Sequence, residues 1–169
     1  MKRCSILLCF LCILGIDQAV KAYTVSHIPL MSWTHPLYPY GGVAVFQGWF
    51  GIDFSLNYVM NRGAAWGVLA DFQQYLLYAR FIIVGVLGYY LLAGFVSGIK
   101  RLCFCSIFAG AIGNILDFFL YGHVVDLFHF RFWGYFFPVF NVADSAIFLG
   151  VFFLLLQSAF LKPKLSTKV

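Results

Sequence analysis

The chain has 169 residues, 63% hydrophobic and only 10% charged, with a mean hydropathy of +0.91 and a formal net charge of +5. Water-soluble domains carry about 25% charged residues, so a soluble globular domain is excluded. An integral membrane protein is indicated, with room for about four spans of roughly 20 residues each.

The small positive charge follows topology and gives no nucleic-acid face. Lys2, Arg3, Lys100, Arg101, Lys162, Lys164 and Lys168 lie at segment ends that hold no acid. All six aspartates, with Lys21, Arg62, Arg80 and Arg131, lie at the other ends. The positive-inside rule therefore predicts both termini and the 100–101 turn in the cytoplasm, with the acids facing outward. Cys4, Cys9, Cys12, Cys103 and Cys105 fall within predicted spans or at their inner ends, so no disulfide framework is implied. Cys9-x-x-Cys12 reads as two small hydrophobes on an apolar helix.

Taken in order, one integral membrane domain is expected over residues 1–169. Residues 4–22 form the first span. Its positive start, short apolar core and small residues near the end also fit a cleavable signal, but a retained span is the preferred reading. Asp17 and Lys21 stand one helical turn apart, acid first, the favourable order for a pair at a helix end. On sequence alone this pair fits an interfacial anchor as well as a functional role.

Residues 23–80 form an outer segment. Its first part, with Pro29, Pro36 and Pro39, is irregular. Ile52, Phe54, Leu56 and Tyr58 then alternate with Asp53, Ser55 and Asn57, the period of a half-buried strand, and Val43–Phe46 can pair with it. The pair predicts a small outer sheet whose apolar face meets the lipid interface or the site. Asn61-Arg62-Gly63 ends the strand, and residues 64–80 read as an interfacial helix. Further spans are expected at 81–98, 102–120 and 142–161, with an outer loop at 121–141. On the third span Gly110, Gly113, Asn114 and Asp117 share one face, which suits close packing inside a bundle.

Three of the six acids, Asp117, Asp126 and Asp144, lie between Gly113 and Asp144 in aromatic and aliphatic surroundings. A carboxylate in hydrocarbon costs roughly 2.5–3.5 kcal/mol on insertion scales, so such acids are functional candidates by default. Taken singly, Asn141-x-x-Asp144 is explained by helix capping and Asp126 by a solvated loop. His123 and His129 read as interfacial. No metal site is expected, because no second cluster of ligand residues occurs at ligand spacing. Neither a serine-nucleophile motif nor a phosphate loop stands out.

Five islands occur in order: Asp17-Gln18-x-x-Lys21, Asn61-x-Gly63-Ala64-Ala65-Trp66-Gly67, Gly113-Asn114-x-x-Asp117, Gly122-His123-Val124-Val125-Asp126 and Phe140-Asn141-Val142-Ala143-Asp144. Together they resemble the motif set of the bacterial lipoprotein signal peptidase (signal peptidase II) family. The resemblance implies a mainly helical membrane protein: four transmembrane helices, both termini cytoplasmic, an outer β-cradle and an interfacial helix. It implies an aspartic endopeptidase of the inner membrane that removes signal peptides from diacylglyceryl-modified prolipoproteins, without a cofactor. Asp126 and Asp144 would be the catalytic dyad, Asn61, Asn114, Asp117 and Asn141 would shape or line the site, and Asp17 and Lys21 would form the polar turn of the first span. Phe118 departs from the pattern, which usually has Arg directly after the third-span Asp; Trp66 for Phe is milder. If that Arg holds the substrate backbone, another donor is expected here, with Arg62 and Arg131 as candidates.

The residues support this chemistry on their own. Two carboxylates in close contact do not both ionise easily, so they share a proton and offer one base and one acid to a hydrolytic water. A small proton- or ion-conducting transporter would use intramembrane Asp and Asn residues equally well, and a non-catalytic assembly factor would use them to hold helices together.

Overall fold

The computed structural model describes residues 3–35, 37–63 and 70–160. The basic residues Lys2, Lys162, Lys164 and Lys168 and the motif residues 64–67 lie outside these. The elements in chain order are helix α1 (Arg3–His27), strands β1 (Val43–Trp49) and β2 (Ile52–Asn61), helices α2 (Gln73–Leu92) and α3 (Gly98–Tyr121), strands β3 (Val124–Phe132) and β4 (Tyr135–Phe136), and helix α4 (Val142–Phe160). A single 3-10 turn, Ala70–Phe72, leads into α2. All four helices are long and apolar enough to cross a membrane. The expected mainly helical fold with four long apolar helices and a small sheet is borne out.

Helix α3 is the hub: α1, α2 and α4 all pack against it, and it carries most of the buried helical residues. Its glycines make this possible. A Cβ on Gly110 would collide with the backbone carbonyl of Ala143, and one on Gly113 would lie 2.6 Å from the Asp17 carboxylate. Gly150 of α4 does the same in return, a Cβ there falling 2.9 Å from the Cys103 carbonyl oxygen. Small residues at a membrane helix seam let backbones approach and raise the van der Waals contact, which is the main attraction available between helices in lipid.

Several helix boundaries differ from the sequence expectation. Of the interfacial helix expected at 64–80, residues 64–69 lie outside the described residues, and residues 73–80 run on into the second span as one helix, α2. That helix ends at Leu92, before Gly94 at φ 75° and Gly98 at φ 56°, backbone conformations that side chains disfavour and glycine permits. Lys100-Arg101 consequently opens α3 instead of closing the second span. The first helix also runs to His27, five residues past the expected end.

The expected outer loop at 121–141 is largely sheet. Gly122, at φ 76°, caps α3 and turns the chain directly into β3. The four strands form one antiparallel sheet in the order β1-β2-β3-β4. Strand β2 buries its polar residues, Asp53, Ser55 and Asn57, and leaves Ile52, Phe54 and Leu56 half-exposed. The buried polar groups satisfy one another: Ser55 donates to Asn57 at 2.6 Å, Asn57 to the Pro39 carbonyl at 2.6 Å, and Tyr38 to Ser55 at 2.8 Å. Asp53 pairs with Arg131, whose guanidinium lies 4.9 Å from the Tyr38 ring centre. The Gly48 N–H at 2.6 Å and the arginine together hold the Asp53 carboxyl below the usual carboxylate range. On the opposite face the rings of Phe54 and Phe130 stack at 4.4 Å, flanked by Phe128, Phe132 and Phe140. This sheet therefore turns its aromatic face outward, the reverse of a soluble sheet and suited to a lipid interface.

Candidate active site

Asp126 and Asp144 are each delivered by a different element. Asp126 is the third residue of β3 and is paired with Val59 of β2. Asp144 sits in the first turn of α4. Asn141 begins that helix by reciprocal capping: its side-chain oxygen accepts the Asp144 N–H at 2.8 Å, and Asp144 Oδ2 accepts the Asn141 N–H at 3.3 Å. Asp144 thus caps the helix and lines the cleft at the same time, so capping does not exclude it as a candidate.

The Asn141 amide also links the two acids. While its oxygen holds the Asp144 backbone, its nitrogen donates to Asp126 Oδ1 at 2.8 Å, to Asn114 Oδ1 at 3.2 Å and to the Val125 carbonyl at 3.2 Å. Asn61 donates to the other oxygen of Asp126 at 2.9 Å. Asn114 donates to Asp144 Oδ1 at 2.8 Å. Three neutral amides therefore orient two carboxylates, with no ion pair to either among the described residues. Asp126 is only 2% exposed. Burial, and after it the Asp144 charge, pushes its carboxyl up to about 7 against the opposing hydrogen bonds from Asn61 and Asn141 and the charge of Lys21. A pair of this kind can hold one proton at neutral pH and offer the other carboxylate as a base.

Beneath the dyad lies a sealed ionic cluster. The Lys21 ammonium is fully buried and contacts Asp17 at 2.8 Å, Asp117 at 2.7 Å and Asn114 Oδ1 at 3.0 Å, so its three donors are all engaged. The two acids of this cluster each grip backbone next to the dyad. Asp17 Oδ1 accepts the Ala143 N–H at 2.8 Å, one residue before Asp144. Asp117 Oδ2 accepts the Val125 N–H at 3.1 Å, one residue before Asp126. Gln18 ties both acids together, donating to Asp17 at 3.1 Å and to Asp117 at 3.0 Å.

All eight sequence candidates thus converge: Asn61, Asn114, Asp126, Asn141 and Asp144 around the dyad, with Asp17, Lys21 and Asp117 below it. A cleft of about 670 Å³ opens onto both acids, walled by Phe137, Pro138, Phe140, Phe148 and Leu149. A second groove of about 580 Å³ meets it at Asn61 and Asp126 and runs past Leu30, Trp33, Arg62 and His129. Of the two arginines expected to serve the site, Arg131 is committed to Asp53 and Arg62 is exposed in this second groove. The cleft contains a third, Arg80 of α2, which the sequence reading placed at a segment end. An arginine amid an apolar helix was the available signal.

Comparisons with known proteins give the family and the fold. The sequence model described as signal peptidase (SPase) II matches residues 9–160. The lipoprotein signal peptidase of Streptococcus pneumoniae is 38% identical, over 98% of this chain and 97% of its own. That of Gloeothece citriformis is 39% identical over 92% and 88%, and that of Chlamydia pneumoniae 34% over 86% and 84%. Two solved bacterial membrane enzyme structures, each 26% identical, align with TM-scores of 0.72 and 0.73, covering 96% and 95% of this chain and 94% and 95% of theirs. The chain belongs to the signal peptidase II family and is a membrane protease with four apolar helices.

Proposed function

We propose that the protein is an aspartic endopeptidase that cuts diacylglyceryl-modified prolipoproteins just before the lipidated cysteine, with Asp126 and Asp144 as the catalytic pair. The observation that carries this reading is that the Asn141 side chain binds the Asp126 carboxylate and the Asp144 backbone N–H together, where both acids line an apolar-walled cleft. The ionised member of the pair takes a proton from water, and the oxygen attacks the scissile carbonyl carbon. The protonated member gives its proton to the carbonyl oxygen. Collapse of the adduct, with a proton passed to the leaving nitrogen, then breaks the C–N bond and restores the pair. Acyl chains can stay in lipid or along the Phe148–Leu149 wall while water reaches the acids from outside.

The transporter reading finds less support. Below the Lys21 cluster, the buried residues of α3 are Cys103, Cys105, Ile107, Ala109, Gly110 and Ala111, with no acid or amide to carry a proton onward. Purified protein incubated with a diacylated prolipoprotein should release the intact signal peptide. Ion flux in sealed vesicles with no peptide released would favour transport instead.

The dyad stands at the end of α3 opposite Lys100 and Arg101, which supports an active site on the outer face of the inner membrane with cytoplasmic termini. His35 and Lys100 are both exposed. In a cysteine-free background, a cysteine at position 35 should react with an impermeant reagent added outside, and one at position 100 should not. Equal labelling of the two would overturn this orientation.

The pH response follows from the raised Asp126 carboxyl. Above about 7 the pair loses its shared proton, so cleavage should fall on the alkaline side, by about tenfold per pH unit once well past the midpoint. Stability has the matching sign. Between the ordinary carboxylate range and about 7, the folded protein binds a proton that the unfolded chain has released, so stability falls as pH rises. Asp126→Asn removes that cost and should unfold at a higher temperature than the parent at pH 8. A rate unchanged up to pH 9 would contradict the proton-sharing pair.

A further inference from the structure

Arg80 is the sole charged residue of α2, a 20-residue apolar helix. A cation in such a helix costs roughly 2.5–3.5 kcal/mol on insertion scales and calls for a partner or a function. Among the described residues Arg80 forms no ion pair, and its one hydrogen bond is a long one, Nη2 to the Gly63 carbonyl at 3.5 Å. A guanidinium has five donors, so among the described residues most have no partner and can serve a ligand. The group lines the cleft with Asn61, Asn114, Asp126, Asp144 and Ser145, yet it does not collapse onto either carboxylate. The other nearby cations are committed or elsewhere: Lys21 has three partners, Arg131 is paired with Asp53, and Arg62 lies in the adjoining groove. Phe118, at the position where the sequence suggested a missing donor, is not among the residues lining the cleft.

We propose that Arg80 is the substrate-binding donor of the cleft, its guanidinium hydrogen-bonding a backbone carbonyl of the extended substrate segment beside the scissile bond. The ligand chemistry is set by the surroundings. An anion would enter against Asp126 and Asp144, whereas a peptide carbonyl is a neutral, strong acceptor that fits between the cation and the two acids. The same charge favours the ionised form of the dyad, so Arg80 couples substrate position to the state of the acids. This inference rests on the dyad reading above and adds the residue that holds the peptide across it.

The test compares Arg80→Gln and Arg80→Lys with the parent on a diacylated prolipoprotein, reading KM, kcat and the pH profile separately. Loss of a charged donor to the bound peptide should raise KM about 10–100-fold for Arg80→Gln, with a smaller change in kcat. Arg80→Lys keeps the charge and should recover part of that loss. The alkaline limb of Arg80→Gln should move to higher pH, because a cation that favours ionisation has been removed. A merely structural Arg80, acting through the Gly63 carbonyl, would lower the unfolding temperature and kcat while KM and the alkaline limb stayed in place, and that result overturns the proposal. So does a KM within twofold of the parent. Binding measured in an Asp126→Asn background, with and without Arg80→Gln, separates the two readings. An Asp126→Asn protein that still cleaves defeats the dyad, whereas equal binding by the single and double variants defeats Arg80 alone.

Discussion

Lys21→Met is expected to cost the protein both its fold and its cleavage. The ammonium lies fully buried between Asp17 and Asp117, themselves 1% and 0% exposed. Removing it leaves two carboxylates side by side without a counter-charge, a change that typically destabilises by about 3–5 kcal/mol when one partner of a buried pair is lost. The acids can escape only by taking up protons or by separating. Separation would release Ala143 and Val125, the backbone neighbours of Asp144 and Asp126. We therefore expect a large fall in unfolding temperature in detergent, and at least a hundredfold loss of cleavage in whatever protein remains folded. Lys21→Met/Asp17→Asn, which removes one acid with the cation, should recover stability before activity, because the amide oxygen can still accept the Ala143 N–H. A Lys21→Met protein with parental melting and cleavage would show that the cluster does not position the dyad.

Asparagine at either Asp126 or Asp144 is expected to abolish cleavage without harming the fold. The amide keeps the size of the carboxylate, and its oxygen still accepts one of the present hydrogen bonds. It can neither take a proton from water nor give one to the substrate. The loss should be total within the sensitivity of the assay, since both steps use the same pair. The double variant should be little worse than either single one, because groups that act as one unit are not additive.

Much of this architecture was legible before any coordinates. Four apolar runs and their basic ends mark the helices, and acids among hydrocarbon mark the candidate site, since both follow from the cost of charge in lipid. The alternation from Ile52 revealed β2, but that of Phe128, Phe130 and Phe132 with Leu127, His129 and Arg131 was hidden in the aromatic surroundings expected of a loop between spans. The direction of β2 was open as well: in a sheet whose outer face meets the lipid interface, the polar residues turn inward. Interfacial helix and span share one composition, so nothing local separates residues 73–80 from the second span, and in the sequence Arg80 reads as a boundary. Asp17 with Lys21 could be read as a turn of one helix, but the third member, Asp117, joins only because α3 packs at a glycine seam against α1. Helix-capping statistics correctly described Asn141 and Asp144, yet gave no sign that the same amide reaches Asp126.

The most direct test of the catalytic pair is a side-by-side assay of the parent, Asp126→Asn and Asp144→Asn proteins, each shown to be inserted and folded, on one diacylated prolipoprotein, with the released peptide identified by mass. The parent should release a signal peptide ending just before the lipidated cysteine, and neither variant should release any. Cleavage by either variant at a rate near the parent's would contradict the catalytic pair.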